Sequence, residues 1–286
     1  MPIYTFTTLD DPSATQLAGG THSQGINDAG QIVGVYDNPG LPGFFTPHGF
    51  LLSGGIYTTL DDPLATFGTQ AFGINDAGQI VGTYFIGTTP HGFLLSGGTY
   101  TTIDFPSATL TFAQGINAAG QIVGTYQDAS GGTHGFLYFN GFHGTIDDPL
   151  ATGPFGTTAQ GINASGQIVG WYSDSANHQH GFLYDGRTYT TLDVPFSIQT
   201  EALGINDRGQ IVGYYLDTSV HAHGFLYSNA PTPPSTIPWV SMAPMQQAST
   251  LQGRSSGNTP TPTANTTASS RLPCRTRRRP PAPPPT

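Results

Sequence analysis

The residues best suited to chemistry in this sequence are one glutamate and a small set of histidines. Glu201 is the only glutamate in the chain, and it stands three residues before a repeated Gly-Ile-Asn triplet. His22 occupies the same position before the first copy of that triplet. A carboxylate and an imidazole that lie side by side can transfer protons, so Glu201 and His22 are the candidate catalytic pair if the fold brings them together.

Two loops contain a histidine that the other repeats lack. His178 stands two residues before His180, and His221 stands two residues before His223. In an extended chain such pairs face the same side, and imidazole and carboxylate groups are usual ligands of Zn²⁺ and Cu²⁺. Polar loops also collect histidine without binding metal. We therefore expect no cofactor and keep a divalent metal as the alternative, with His178, His180, His221 and His223 as its candidate ligands.

Large aromatic residues and polar loop residues cluster in the fourth and fifth repeats. The residue before the tyrosine of each QIVGxY string is Val or Thr in the first three repeats, but Trp171 and Tyr214 in the last two. Flat aromatic rings can stack on sugar rings, and packing is an equally good interpretation. The resulting candidate ligand-binding set is Trp171, Asp174, His178, Tyr214, Asp217 and His221.

Three short motifs that recur five times predict the elements that position these residues. The strings resemble GINDAGQIVGxY, then HGFLL, then YTTLD, and the steps between successive GIN glycines are 42 to 48 residues. Each unit contains four short runs rich in β-branched and aromatic residues, separated by Gly-rich turns. A period of this length is typical of propellers. We expect an all-β fold, a five-bladed β-propeller of four-stranded antiparallel blades.

The ends of the repeat region predict how the ring closes. The fifth unit stops after its third strand, and the chain begins with an unpaired fourth strand at 4–10. If that strand completes blade five, no blade edge stays exposed at the seam. The propeller then spans 1–229, with blades at about 20–61, 68–104, 111–147, 157–193 and 200–228. The remainder, 230–286, is rich in Pro, Ser, Thr and Arg and is predicted to be disordered.

Charge and composition exclude several classes of partner. The chain has 17 acidic residues against 8 basic ones, with a formal net charge of −9. Such a chain repels nucleic acid and anionic membrane surfaces. A single cysteine excludes disulfide staples, and no apolar run or signal peptide is visible. We expect a monomer that binds carbohydrate or another small ligand, with no nucleic acid and no membrane insertion.

The repeat units are similar to the bacterial HAF repeats, with an HGF triplet in place of HAF. The resemblance covers the five units of GINDAGQIVGxY, HGFLL and YTTLD. It implies a propeller-like β fold and an extracellular location, and it implies no established activity.

Residues that occur in every unit are expected to serve the scaffold. The GIN asparagine stands beside a turn and is expected to bond its backbone. The HGF histidine is expected to bond the aspartate that ends the fourth strand, such as Asp61 or Asp104. The tyrosine of QIVGxY and the phenylalanine of HGF are expected in the core. Calcium binding by the strand-end aspartates is the alternative.

Three functions from different classes fit these residues. The first is a secreted, non-enzymatic protein that binds a glycan or cell-wall polysaccharide on the face with variable loops. The second is a glycoside hydrolase or lyase that uses Glu201 at the mouth of the central channel. The third is a structural or adhesive repeat without a discrete site.

Overall fold

The computed structural model describes residues 7–14, 20–39, 45–228 and 239–241, and all regular elements in these ranges are β-strands. They form five sheets of four strands, each antiparallel throughout. Within the same ranges no helix has the length and apolarity needed to cross a membrane. The predicted five-bladed β-propeller is therefore confirmed.

Each sheet is built from consecutive strands, with the GIN segment on the first strand and, in blades one to four, the YTTLD-type segment on the fourth. Blade one contains β1 Thr21–Ile26, β2 Ile32–Pro39, β3 Phe45–Ser53 and β4 Ile56–Leu60. Blade two contains β5 Gly68–Ile74, β6 Ile80–Ile86, β7 Thr89–Ser96 and β8 Thr99–Thr102. Blade three contains β9 Leu110–Ile116, β10 Ile122–Gln127, β11 Thr133–Phe139 and β12 Phe142–Ile146. Blade four contains β13 Thr157–Ile162, β14 Ile168–Ser173, β15 Gln179–Tyr184 and β16 Tyr189–Leu192. Blade five contains β17 Gln199–Ile205, β18 Ile211–Leu216, β19 Ala222–Tyr227 and β20 Trp239–Ser241.

The repeated asparagine and glycine explain the tight turn between the first two strands. In blade four, Asn163 Oδ1 accepts hydrogen bonds from the backbone N–H of Ser165 and Gln167, at 3.1 and 3.0 Å. Gly166 adopts φ = 79°, which glycine reaches without the steric cost of a side chain. The expected scaffold role of the asparagine is confirmed, and it recurs in the other blades.

The glycine of QIVGxY allows the HGF phenylalanine to pack closely over the strands of its own blade. A Cβ atom on Gly170 would overlap the carbonyl oxygen of Thr158 and lie 2.9 Å from the ring of Phe182. That ring is 0% exposed, and Tyr172 on the same blade is 3% exposed. The HGF phenylalanine is buried in all five blades and the tyrosine in four, so the prediction that they form the core holds for these residues.

The interfaces between successive blades bury apolar side chains from both partners. Val169 of blade four packs with Leu192, Ala202, Ile211 and Phe225 at the interface with blade five. Equivalent clusters join blade one to two, two to three and three to four. These contacts remove apolar surface from water, which stabilises the stack of blades.

Among the described residues, no cluster of buried apolar side chains joins blade five to blade one. Val169 is 0% exposed, whereas the equivalent Val212 of blade five is 51% exposed. Asn163 Nδ2 donates to the carbonyl oxygen of Asn206 on the next blade, at 3.2 Å. The Nδ2 of Asn206 donates to Gln210 in its own blade, and no bond from it to blade one occurs within the described ranges. The face of blade five opposite its interface with blade four is thus exposed to solvent at Val212.

The closing strand differs from the sequence expectation. The fourth strand of blade five is β20, which pairs with β19 through Phe225 opposite Ser241 and Tyr227 opposite Trp239. Of the segment 4–10, residues 4–6 lie outside the described residues, and 7–10 belong to no strand. Trp and Val favour strands. In sequence, β20 follows β19 after residues 228–238, whereas 4–10 is separated from β19 by almost the entire repeat region, and the entropic cost of closing a loop rises with its length. The rest of the predicted tail, 230–286, lies outside the described residues.

Candidate functional site

In blades one to four, the histidine of the HGF motif is fixed by the aspartate that ends the fourth strand. His180 Nδ1 lies 2.8 Å from Asp193 Oδ2, and the imidazole stacks on the ring of Tyr172 with centroids 5.1 Å apart. His91 Nδ1 lies 2.6 Å from Asp104 Oδ2. Blades one and three have the same pair. The expected hydrogen bond between histidine and strand-end aspartate is therefore confirmed in four blades.

A second aspartate approaches the other ring nitrogen in blades three, four and five. Asp174 Oδ1 accepts from the backbone N–H of Ala176 and His178, which fixes the loop between β14 and β15. Its other oxygen, Oδ2, lies 3.4 Å from Nε2 of His180. The imidazole of His180 is therefore held between two carboxylates. Equivalent carboxylates are Asp128 in blade three and Asp217 in blade five.

These contacts change the pKa values on both sides. The bond from the backbone N–H of His178, followed by smaller contributions that include His180, lowers the pKa of Asp174. The hydroxyl of Ser130 and the backbone of Gly132 lower the pKa of Asp128 to about 2. Burial lowers the pKa of His180, but its bonds to Asp193 and Asp174 outweigh burial, so the net pKa is raised. Asp128 and Asp174 thus stay ionised in mild acid, where the neighbouring His134 and His180 gain their charge.

A cleft opens beside this group, between blades four and five. It has a volume of about 290 Å³ and lies at the loop end of the blades. We call it the four–five cleft, and its lining residues are His178, Gln179, His180, Asp193, Ser197, Ile198 and Gln199. Polar side chains with one apolar residue among them suit a small polar ligand.

A related cleft lies between blades three and four. It has a volume of about 280 Å³ and includes His134 and Asp147, the counterparts of His180 and Asp193. Its loops contribute Gly132, Gly153 and Gly156 where the four–five cleft has larger side chains. The repeat therefore builds the same depression at both junctions, and the loops give the four–five cleft more hydrogen-bonding groups.

Glu201 acts on the four–five cleft through a neighbouring side chain. Gln199 lines the cleft, and its Nε2 donates to Glu201 Oε1 at 2.7 Å and to Tyr214 Oη at 3.3 Å. Glu201 is 9% exposed. Burial and the adjacent carboxylate of Glu201 raise the pKa of Tyr214. With Nε2 engaged by two acceptors, the amide oxygen is the polar atom that Gln199 can present to a ligand.

The structure does not join Glu201 to His22. His22 lies on β1 opposite Val35 and is exposed, and its charge acts on Asp37. The contacts of Glu201 are Gln199 and Tyr214. No hydrogen bond or ion pair between Glu201 and His22 occurs in the part of the chain that the structure describes, and their proximity stays a prediction.

Of the ligand residues predicted from the sequence, three lie at or beside the four–five cleft and three do not line it. His178 lines the four–five cleft, Asp174 bonds two backbone groups of its loop, and Tyr214 contacts the lining residue Gln199. Trp171 is half-buried on β14 and lines neither cleft. Asp217 and His221 form the equivalent loop of blade five, where Asp217 Oδ1 accepts from the N–H of His221 at 3.0 Å.

Several lining residues escaped the sequence interpretation. Ser197, Ile198 and Gln199 follow the strand-end aspartate of blade four, in the segment DVPFSIQ. The junctions after blades one and three have DDPLA at this place, and the replacement of the second aspartate by valine was the available signal.

The candidate metal ligands form no complete site. His178, His180 and Asp174 approach each other at 3.4 Å through a shared carboxylate oxygen. No group of three or more His, Cys, Asp or Glu side chains with metal-binding geometry occurs in the part of the chain that the structure describes.

Comparison with known proteins identifies the fold. No protein-family model matches the sequence, and no curated protein sequence is similar to it. TolB from Acinetobacter baumannii is similar in structure with a TM-score of 0.52 and 18% identity, over 73% of this chain and 51% of that one. A mutant of the Aleuria aurantia lectin in complex with Fucα1-6GlcNAc has a TM-score of 0.47 and 14% identity, over 78% and 77%. A mutant of AofleA from Arthrobotrys oligospora has a TM-score of 0.48 and 13% identity, over 79% of this chain and 71% of that one. The similarity to TolB shows a propeller fold; the other two likenesses carry no argument about this chain.

Proposed function

We propose that this protein binds carbohydrate, without catalysis, and that the four–five cleft is its principal site. The observation that carries the proposal is the cleft of about 290 Å³ lined by two imidazoles, Asp193, Ser197 and Gln199. Ligand pockets for drug-sized molecules run from ~300 to 1,000 Å³. A cleft just below that range suits one sugar ring at a time.

The lining groups match the needs of a sugar. Hydroxyl groups both donate and accept, and the cleft offers carboxylate and amide oxygens beside imidazole nitrogens. His180 is already held by Asp193 and Asp174, so it is ordered before a ligand arrives. A preorganised polar group loses little conformational entropy on binding.

The same lining favours binding over hydrolysis. Glycoside hydrolysis commonly uses two carboxyl groups on either side of the scissile bond. Asp193 is the single carboxylate that lines the four–five cleft among the described residues, and it is bonded to His180. Glu201 contacts the cleft through Gln199.

We also propose that the protein is extracellular. The support for this location is the similarity of its repeats to the bacterial HAF repeats.

The test measures binding and cleavage in the same tube. The full chain is mixed separately with insoluble cellulose, chitin, xylan and β-1,3-glucan and sedimented. Protein is measured in the pellet, and new reducing ends are measured in the supernatant. We expect protein in the pellet of at least one polymer and no new ends.

A matched pair of variants locates the site. His178→Ala removes an exposed side chain that lines the four–five cleft, and we expect several-fold weaker pelleting. His221→Ala removes the equivalent side chain of blade five, which lines neither cleft, and should leave pelleting unchanged. Equal loss in both variants, or new reducing ends that Glu201→Gln abolishes, would contradict the proposal.

A further inference from the structure

Phe196 is the most exposed large apolar residue described, and it is adjacent in sequence to residues that line the four–five cleft. Its side chain is 94% exposed. It directly precedes Ser197 and Ile198, which line the cleft. Its backbone has φ = 67°, a left-handed conformation that a bulky residue rarely adopts.

The turns at the other junctions show why this conformation is unusual. In the segment DDPLA, Asp62 Oδ1 accepts from the N–H of Leu64 at 2.8 Å, and Ala65 N–H donates to the carbonyl oxygen of Asp62 at 2.9 Å. Leu64 keeps a negative φ. The side-chain acceptor thus holds the turn in the common right-handed form. The same bonds are made by Asp11 and Asp148.

Two junctions lack that acceptor and adopt the other turn. Where Val194 replaces the aspartate, Ser197 N–H still donates to its carbonyl oxygen at 3.1 Å, with Pro195 at the second position. A turn with Pro second and positive φ third has the type II form, which favours Gly at the third position. The junction that begins with Phe105 has Ser107 there, with φ = 64°. Blade four has Phe196 instead.

A phenylalanine in this position has a conformational cost that its own burial does not offset. The ring is almost fully in water, so the packing energy that normally retains an apolar side chain is missing. Strained residues cluster at ligand clamps, where the strained conformation presents a side chain to the ligand. The exposed ring, the left-handed backbone and the adjacent cleft therefore have one common explanation.

We propose that Phe196 is the aromatic wall of the four–five cleft and stacks on the C–H face of a pyranose ring. The inference rests on the proposed function and deepens it. The ligand class is a neutral pyranoside with a contiguous apolar face, such as a β-linked glucose or N-acetylglucosamine unit. The hydroxyl groups of the sugar bond the polar lining, which includes His178 and Gln199, while the phenyl ring of Phe196 covers the apolar face of the sugar.

The proposal also ranks the junctions. At the junction between blades two and three the equivalent residue is Ser107, which has no ring to stack. At the junction between blades three and four the lining contains three glycines. Phe155, 48% exposed, stands between two lining residues of the cleft between blades three and four, but that cleft has fewer polar side chains than the four–five cleft. We therefore expect the four–five cleft to bind the sugar more tightly than the cleft between blades three and four.

The experiment replaces Phe196 by residues that the turn accepts. Phe196→Ser installs the residue found at Ser107, so the fold is retained. Phe142→Ser removes another exposed ring, 73% exposed, at the start of β12 in blade three, and serves as the control. Phe196→Trp keeps an aromatic ring. The probes are microcrystalline cellulose, chitin and their soluble hexamers.

We expect Phe196→Ser to bind the retained polymer at least tenfold more weakly, and Phe142→Ser to bind as the wild type does. Phe196→Trp should retain binding, and its fluorescence should change when the soluble hexamer is added, beyond any change in the wild type. Phe196→Gly should bind weakly and melt at a higher temperature than the wild type, because glycine relieves the left-handed strain.

The outcomes separate this inference from the proposed function. If the wild type binds a probe and His178→Ala weakens it, but Phe196→Ser binds normally, the stacking role is overturned and carbohydrate binding stands. If the wild type binds none of the probes, both are overturned. If Phe196→Ser and Phe142→Ser weaken binding equally, the ring has no specific place in the cleft and the inference fails.

Discussion

The side-chain nitrogen of Gln199 lies 2.7 Å from Glu201 Oε1 and connects the only glutamate of the chain to the four–five cleft. The residue that is chemically most conspicuous in the sequence is thus one step removed from the ligand space. It orients an amide that lines the cleft, and its second contact, Tyr214, is held by the same amide at 3.3 Å. Glu201 is a positioning residue in this arrangement.

Substitution of Glu201 distinguishes positioning from catalysis. Glu201→Ala removes the acceptor for Gln199, so we expect carbohydrate affinity to fall about five- to tenfold, the factor for a lost hydrogen bond of about 1–1.5 kcal/mol. Glu201→Gln keeps an oxygen acceptor, and we expect its affinity to stay within about twofold of the wild type. Titration calorimetry with a soluble hexamer measures both. An equal loss in the two variants would show that the charge itself is required.

Blades four and five offer a matched pair of valine substitutions at equivalent positions, one buried and one exposed. Val169 is 0% exposed and Val212 is 51% exposed at the equivalent position. Val169→Ala should lower the free energy of unfolding by about 2 kcal/mol through lost burial and an unfilled cavity. Val212→Ala should change it by less than about 0.5 kcal/mol. Urea unfolding followed by circular dichroism compares them, and similar losses would mean that the seam is closed in solution.

The paired histidines and aspartates set the pH dependence of stability. The pKa values of His134 and His180 are raised, so their contribution is complete below the unfolded value of about 6.5 and is lost as the pH rises through the folded value. The pKa of Asp128 is lowered to about 2, so its contribution is complete above about 4 and is lost as the pH falls towards 2. We expect the highest melting temperature between about pH 4 and 6.5.

A double variant tests whether His134 and His180 cause the loss of stability above about pH 6.5. A double variant, His134→Gln and His180→Gln, removes the two imidazoles held between carboxylates. It should melt at a lower temperature than the wild type in mild acid, and its melting temperature should fall less between pH 6 and pH 8. An unchanged slope over that range would show that other groups cause the loss.

The sequence predicted the elements that every repeat must share. The GIN turn, the buried tyrosine and phenylalanine, and the bond from His91 to Asp104 recur because each blade needs them, and recurrence made them visible. The closing strand was mispredicted because β-propensity does not determine which of two distant segments reaches β19 first. Gln199 and Phe196 escaped because a turn type that depends on the missing acceptor at Val194 decides their placement.

The uncovered face at Val212 has a consequence for how the molecule loses its structure. A linear stack of units in which each contacts only its neighbours behaves as a one-dimensional array, so its stability is a sum of unit and neighbour terms. The end units of such an array have one neighbour each and open more often than those between them. Amide hydrogen exchange should therefore be slowest in blade three and become faster towards blades one and five. The four–five cleft, which joins an end unit to an internal one, would then share the opening of blade five, and a ligand bound there would slow exchange in that blade most.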